Sequence, residues 1–216
     1  MSNPESFIDE VSEEVRRDRL YGAFRKYGWI AGLLVVLIVG GAAYNEWQKA
    51  QARADAQGFG DALYAALEMT EIESRLIALE DVRAPDGAEP LSALIYATEV
   101  QARSTEEAVA ALQALAAVPD TPAVYVDLAR LRMVMIGGDV LTTAERSAAL
   151  DTLIQGSGPF RLLALEQRAL IEAETGQRDA AIETLQRILG AAGATEGMRT
   201  RVLQLIVALG GDVAQG

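Results

Sequence analysis

The sequence predicts an all-α protein in which a single N-terminal transmembrane helix is followed by an α-solenoid of helical repeats. Residues 27–45 form a stretch of nineteen residues without a charged side chain. No segment shows the alternation of apolar and polar residues that is typical of strands, and the second half of the chain repeats a helical signature. The predicted organisation is a tail (1–26), a transmembrane helix (27–45), juxtamembrane helices (46–89), and helical repeats with a C-terminal capping helix (90–216).

The uncharged stretch, YGWIAGLLVVLIVGGAAYN, has the length and composition of one membrane-spanning helix. A helix rises about 1.5 Å per residue, so about 20 residues cross a hydrocarbon core of about 30 Å. Tyr27 and Trp29 lie at one end of the stretch, and Tyr44 and Trp47 lie at the other. These are the two depths at which aromatic rings prefer the membrane boundary, which favours a span over the buried helix of a soluble core.

The basic residues around the span predict its orientation. Two of them, Lys49 and Arg53, follow the span closely, whereas five precede it. Because the side richer in lysine and arginine stays in the cytoplasm, we expect a cytoplasmic tail and an extracytoplasmic domain. The five preceding residues are Arg16, Arg17, Arg19, Arg25 and Lys26.

A cleaved signal peptide is the alternative interpretation of the same stretch, with Gly41-Ala42-Ala43 as a small-residue cleavage site. The leader would then contain 43 residues and six acidic side chains before its apolar region. Secretory leaders usually have about 15–30 residues and a basic start. The residues after Ala43 also continue with strong helix formers, so we expect the span to be retained as an anchor.

Composition argues against catalysis and nucleic-acid binding. Beyond Asn45 there are 25 acidic residues against 14 basic ones, a balance that repels phosphate backbones. The sequence has neither cysteine nor histidine, which excludes disulfides, thiolate nucleophiles, imidazole catalysis and an ordinary zinc site. No glycine-rich phosphate loop occurs, and paired carboxylates such as Glu106 and Glu107 are more typical of solvated helix faces. We expect no enzyme activity, and no catalytic, cofactor-binding or metal-binding residues.

Three helical pairs are predicted after the turn at Ala84-Pro85-Asp86-Gly87. They open at Pro90, Pro122 and Pro159, since proline is well tolerated in the first turn of a helix. Each second helix carries an alanine, a branched apolar residue and a leucine at the same spacing, and this repetition predicts a solenoid. The copies begin at Ala108, Ala149 and Ala181, and capping boxes are predicted at Ser104–Glu107 and Thr142–Glu145.

The third pair, FRLLALEQRALIEAETGQRDAAIETLQRIL, resembles a tetratricopeptide (TPR) repeat. Ala169 and Ala181 occupy positions where small residues let the two helices of such a repeat cross closely. The array is divergent, because several aromatic and proline positions of the repeat hold other residues. The final helix, roughly residues 195–209, is predicted to cap this TPR-like solenoid, with Met198, Val202, Leu205 and Leu209 on one face.

The TPR resemblance implies a partner-binding surface on the first helix of each pair, which lines the concave face of such arrays. In the third pair this places Glu166, Leu170 and Glu174 on that face, an apolar position between two carboxylates. The surface would suit a segment with an apolar anchor flanked by basic residues. The alternative is that Leu170 packs on the preceding hairpin and that both glutamates are only solvated.

Three segments accompany the TPR-like array: SFIDEVSEEVRRDRL in the tail, KYGW at the start of the span, and NEWQKAQ after it. With these segments the whole chain resembles the YfgM-like family of bacterial ancillary Sec translocon subunits. This resemblance implies a bacterial inner-membrane protein whose periplasmic domain works with Sec translocon subunits, periplasmic chaperones or exported chains. A scaffold for another envelope complex, such as the division or cell-wall machinery, would use the same architecture, and the oligomeric state stays open.

Overall fold

The computed structural model describes residues 4–212, and the side chains from Arg25 onward except Ala31. Within this range every regular element is a helix, which confirms the all-helical prediction at that level. The helices are α1 (Pro4–Leu67), α2 (Ile72–Asp81), α3 (Glu89–Val100), α4 (Thr105–Ala117), α5 (Ala123–Ile136), α6 (Thr143–Gln155), α7 (Arg161–Glu174), α8 (Arg178–Leu189) and α9 (Glu196–Ala208).

The chain divides into two compact units, residues 1–58 and residues 59–216. The predicted tail, the span and the start of the juxtamembrane region fall in the first unit. Expectations about the tail's side chains lie outside the described residues. The predicted juxtamembrane region, 46–89, is divided by the boundary, because Phe59 and Leu63 are already buried among residues of the second unit.

In the first unit, the part of α1 from Arg25 onward is long and apolar enough to cross a membrane, judged by length and composition alone. Its apolar window is not buried at all. Val36 and Leu37 are 67% and 66% exposed, and Trp29 and Trp47 at the two ends of the stretch are 67% and 61% exposed. A run of apolar side chains without protein contacts is costly in water, and a bilayer removes this cost.

In the second unit, α2 to α9 pack mainly on their neighbours in the chain, and α5 also contacts α3 and α7. The connecting segments are short, so successive helices run antiparallel. Small buried clusters form between successive helices, and the C-terminal one joins α7, α8 and α9. Successive helices therefore bury apolar residues against one another along the chain.

Most predicted helix starts agree with the structure, but Pro159 lies before the N-cap Phe160 and not in the first turn of α7. Thr142 forms a complete capping box, because its hydroxyl accepts from the Glu145 amide and the Glu145 carboxylate accepts from the Thr142 amide at 2.8 Å. Ser104 accepts from the Glu107 amide, but the Glu107 carboxylate is bound to Arg103 instead, so this box is only half formed. The Ser104 amide donates instead to the Val100 carbonyl at 2.9 Å, and the charge of Arg103 strengthens its hydrogen bond to Glu107.

The register of the repeats differs from the expected one in the middle pair. Counting from the N-caps Ser104, Thr142 and Gln177, buried leucines recur at the same offset, at Leu112, Leu150 and Leu185. Four positions after the same N-caps lie Ala108, Arg146 and Ala181. In the middle pair, Arg146 therefore occupies the position that Ala108 and Ala181 occupy in the other two pairs. Ala149, the residue predicted for that position, lies three residues further along the helix.

The last helix has the expected cap and a slightly rotated face. The Thr195 hydroxyl accepts from the Met198 amide and starts α9. Met198, Val202 and Ile206 are buried, whereas Leu205 and Leu209 pack half-buried against the same cluster. The helix thus covers the apolar side of α8, as a terminal capping helix would.

Candidate functional site

An apolar groove with a volume of about 920 Å³ lies within the second unit. Its walls come from the end of α2, the first half of α3, the second half of α4 and the loop that leads to α5. Ala93 and Tyr96 of α3 face Ala111 and Ala114 of α4 across it, and Val118 lies in the loop wall. Most of the wall surface is apolar, although the groove is open to solvent.

The groove exists because α4 carries small side chains beside its buried leucines. Leu112 and Leu115 are buried against α3 and α5. Leu115 also lines the groove together with Ala111 and Ala114, and the short methyl groups of the two alanines leave space. A tightly packed helix pair would fill this space, and here it stays open.

The loop from α4 to α5 forms the other wall, and its two prolines set its shape. Pro119 forces Val118 out of the helical region and ends α4, and Pro122 is the N-cap of α5. Between them Asp120 has a φ of 60°, in the left-handed region that aspartate tolerates better than most residues. The loop therefore turns sharply and leaves Val118 53% exposed at the groove.

The charged residues that line the groove are all acidic. They are Glu80, Glu89 and Asp120, and no lysine or arginine is among the lining residues. Arg83 is next to the lining residues in the chain but does not itself line the groove. The groove therefore combines apolar walls with a negative rim.

Tyr96 connects the apolar wall to the rim. Its hydroxyl donates to the Glu80 carboxylate at 3.0 Å. Partial burial, and then the hydrogen bond and negative charge of Glu80, raise the pKa of Tyr96 above its usual value. Tyr96 therefore stays neutral at physiological pH and places a hydrogen-bonding group on the groove wall.

Five arginines of the second unit form ion pairs between elements and do not neutralise the groove. Arg75 of α2 binds Glu99 of α3 at 2.6 Å, and Arg168 of α7 binds Asp151 of α6 at 2.5 Å. Since these cations are held between helices, they are not free to pair with the carboxylates of the rim. Further links of this kind join Arg103 to Glu73, Arg146 to Glu174, and Arg201 to Glu166.

The three residues expected to bind a partner all lie on α7, away from the groove. Glu166 is only 5% exposed and accepts from two Arg201 nitrogens, at 2.5 and 2.8 Å. Leu170 is half-buried, and Glu174 is exposed but paired with Arg146 at 2.8 Å. Arginines of α9 and α6 thus engage the two carboxylates on either side of Leu170, and partner binding at these three residues stays a prediction.

The sequence held one signal for the groove that the repeat analysis did not use. The α4 sequence TEEAVAALQALAA is apolar on more faces than one helix–helix contact needs. Two prolines follow within the next few residues, at positions 119 and 122. Many small apolar residues beside a rigid turn are compatible with an open apolar surface. The sequence alone does not show whether a neighbouring helix covers that surface.

Within the described ranges, no group of three or more acidic side chains is arranged to hold a metal ion. Comparisons with protein-family models, with curated proteins and with solved structures found no match. The apolar groove with its acidic rim is thus the best-defined candidate site of the described second unit.

Proposed function

We propose that this protein is a single-pass, non-catalytic protein of the bacterial inner membrane whose periplasmic TPR-like domain binds other proteins during export. Its role would be that of an ancillary Sec translocon subunit or a cochaperone. The observation that carries the proposal is the combination, in one chain, of an uncovered apolar helix with a domain of successively packed helical pairs.

The exposed apolar stretch supports the membrane anchor. Trp29 and Trp47 are separated by eighteen residues, which correspond to about 27 Å of helix, close to the thickness of about 30 Å of a hydrocarbon core. Tyr44 contacts Trp47 with ring centroids 6.0 Å apart, so one end carries a pair of adjacent aromatic rings. Rings of this kind favour the headgroup region over either water or acyl chains.

The order of helix packing supports the TPR-like solenoid. Each helix of the second unit contacts the next, and the first helices of successive pairs also touch, as in α3 with α5 and α5 with α7. Buried leucines recur at one offset from the N-caps in all three second helices. Solenoids of this kind present extended surfaces to other chains, and no set of residues in the sequence suits catalysis.

The export role is supported by the resemblance to the YfgM-like family and by the acidic domain. A membrane-tethered domain near a translocation site meets extended chains before they fold. A negative surface steers basic segments toward it and lowers its affinity for anionic lipid. A scaffold for division or cell-wall synthesis remains the alternative, and the identity of the captured proteins distinguishes the two.

Site-specific photocrosslinking in intact bacterial membranes tests the function. A crosslinking amino acid replaces Val36, which is exposed in the span, and in a second variant Ala114, which lines the groove. We expect translocon subunits from the first position, and chaperones or exported chains from the second. Capture of division or cell-wall proteins alone at both positions would contradict the export role and support the alternative.

The orientation has a separate test. A reporter enzyme that is active only outside the cytoplasm should be active when fused after Gly216 and inactive when fused at Met1. The reason is the excess of basic residues before the span. Activity of the N-terminal fusion alone would show the opposite topology and would contradict the proposal that the C-terminal domain is periplasmic.

A further inference from the structure

We propose that the groove between α2, α3, α4 and the loop to α5 binds a segment of another protein in which apolar side chains are flanked by lysine or arginine. This inference rests on the proposed function, because it takes the occupant to be a protein segment that meets the domain outside the cytoplasm. Beyond the proposed function, the inference specifies where on the domain that segment binds and which side chains it carries.

The apolar walls define the centre of the recognised segment. Ala93, Ala111 and Ala114 offer methyl groups rather than polar atoms, and Val118 is 53% exposed at the edge. A volume of about 920 Å³ falls within the range of about 300–1,000 Å³ that is typical of ligand sites. Apolar side chains entering this space would be removed from water, which supplies the main binding energy.

The acidic rim defines the flanks of the segment. Glu89 and Asp120 are exposed, and neither forms an ion pair with any residue in the described part of the chain. Glu80 accepts from the Tyr96 hydroxyl at 3.0 Å and adds a third carboxylate to the rim. Cations placed on either side of the apolar centre would meet these carboxylates.

The same charges argue against other occupants. A second copy of this domain would bring further net negative charge, since 25 acidic residues face 14 basic ones beyond Asn45. An anionic lipid headgroup would likewise face three carboxylates without a cationic partner on the wall. Electrostatic complementarity therefore selects a basic segment over both.

Peptide binding to the full-length protein in nanodiscs tests the inference. The probes are fluorescent peptides: Lys-Ala-Leu-Ser-Leu-Ala-Lys, a version with glutamates in place of the lysines, and a version with serines in place of the leucines. We expect saturable binding of the first peptide only, weakened by salt, after subtraction of the signal from empty nanodiscs. Equal binding of the glutamate peptide would overturn the role of the rim.

Two groove variants locate the binding. Ala114→Trp fills the groove from an exposed helix position, and we expect it to weaken binding of the first peptide by at least about tenfold. The control is Ala148→Trp, at an exposed position of α6 outside the groove, which should bind like the parent. Equal affinities for both tryptophan variants would overturn the assignment of the site, provided that both have the parent's helical circular dichroism.

The charges of the rim have a matched control as well. Glu89→Gln combined with Asp120→Asn should weaken binding about three- to tenfold and should reduce its salt dependence. Glu68→Gln combined with Glu183→Gln changes the net charge equally at exposed positions outside the groove, and should have no effect. Equal losses in the two pairs would attribute binding to the net charge and would contradict the rim.

The outcomes separate this inference from the proposed function. If a crosslinking amino acid at Val118, which also lines the groove, captures the same proteins with and without Ala114→Trp, the groove assignment is wrong and the anchored interaction role stands. If the parent gives no crosslinks to envelope proteins at all, the proposed function fails first. Binding of a fluorescent fatty acid that Ala114→Trp blocks, without any binding of the lysine peptide, would show an acyl-chain site and overturn the peptide proposal.

Discussion

Ala181 provides the most direct test of the repeat packing. Its side chain is fully buried and belongs to the cluster that also contains Ala169, which is 1% exposed. Ala181→Leu replaces a methyl group by an isobutyl group at a crossing of α7 and α8 that has no room for it. Overpacking of a filled core typically costs about 1–3 kcal/mol. For a domain of this size, that corresponds to a fall in melting temperature of about 2–12 °C.

The measurement is thermal unfolding of the purified full-length protein, followed by far-ultraviolet circular dichroism. The control, Ala148→Leu, makes the same substitution at an exposed position of α6 and should stay within about 0.5 kcal/mol of the parent. An unchanged melting temperature for Ala181→Leu would mean that the two helices do not cross closely at this alanine. Equal losses of stability in both variants would show that leucine destabilises these helices for a reason other than overpacking of the core.

Two further predictions concern polar contacts. Arg201→Ala should lower the free energy of unfolding by about 1–3 kcal/mol, because it leaves the buried Glu166 carboxylate without its partner. The control is Arg187→Ala at an exposed position, and equal losses of unfolding free energy in the two variants would contradict this prediction. The Thr142 hydroxyl and amide lower the pKa of Glu145, so its contribution to stability is present above the ordinary carboxyl pKa and is lost as pH falls through the lowered value. The stability difference between the parent and Glu145→Gln in urea unfolding should therefore be larger at about pH 7 than at about pH 3, and a difference independent of pH would contradict this.

Helix starts were the most predictable feature of the fold, because they depend on local chemistry. Pro90 and Pro122 open α3 and α5, and Thr142 caps α6 through its own hydroxyl. The half-formed box at Ser104 shows the limit of such local rules. Glu107 has two possible partners within four residues, and Arg103 takes it while the Ser104 amide donates to the Val100 carbonyl.

The candidate site was less predictable, because exposure depends on which helices become neighbours. Glu166 and Glu174 occupy suitable positions on α7, but arginines of α9 and α6 reach them. The groove at Ala114 depends on a gap between α4 and the elements around it. The sequence of one helix does not indicate such a gap, because the gap depends on how the other elements pack.

The sequence by itself determined the helical class and the apolar stretch long enough to span a membrane, because hydrophobic length, periodicity and capping act over a few residues along one helix. It also indicated the alanines at 169 and 181 as closely packed positions. Only the tertiary structure decided which carboxylates are paired, that Arg146 takes the place of an alanine, and where apolar surface stays uncovered. These features depend on distances between helices far apart in the chain, and such distances arise only when the helices pack.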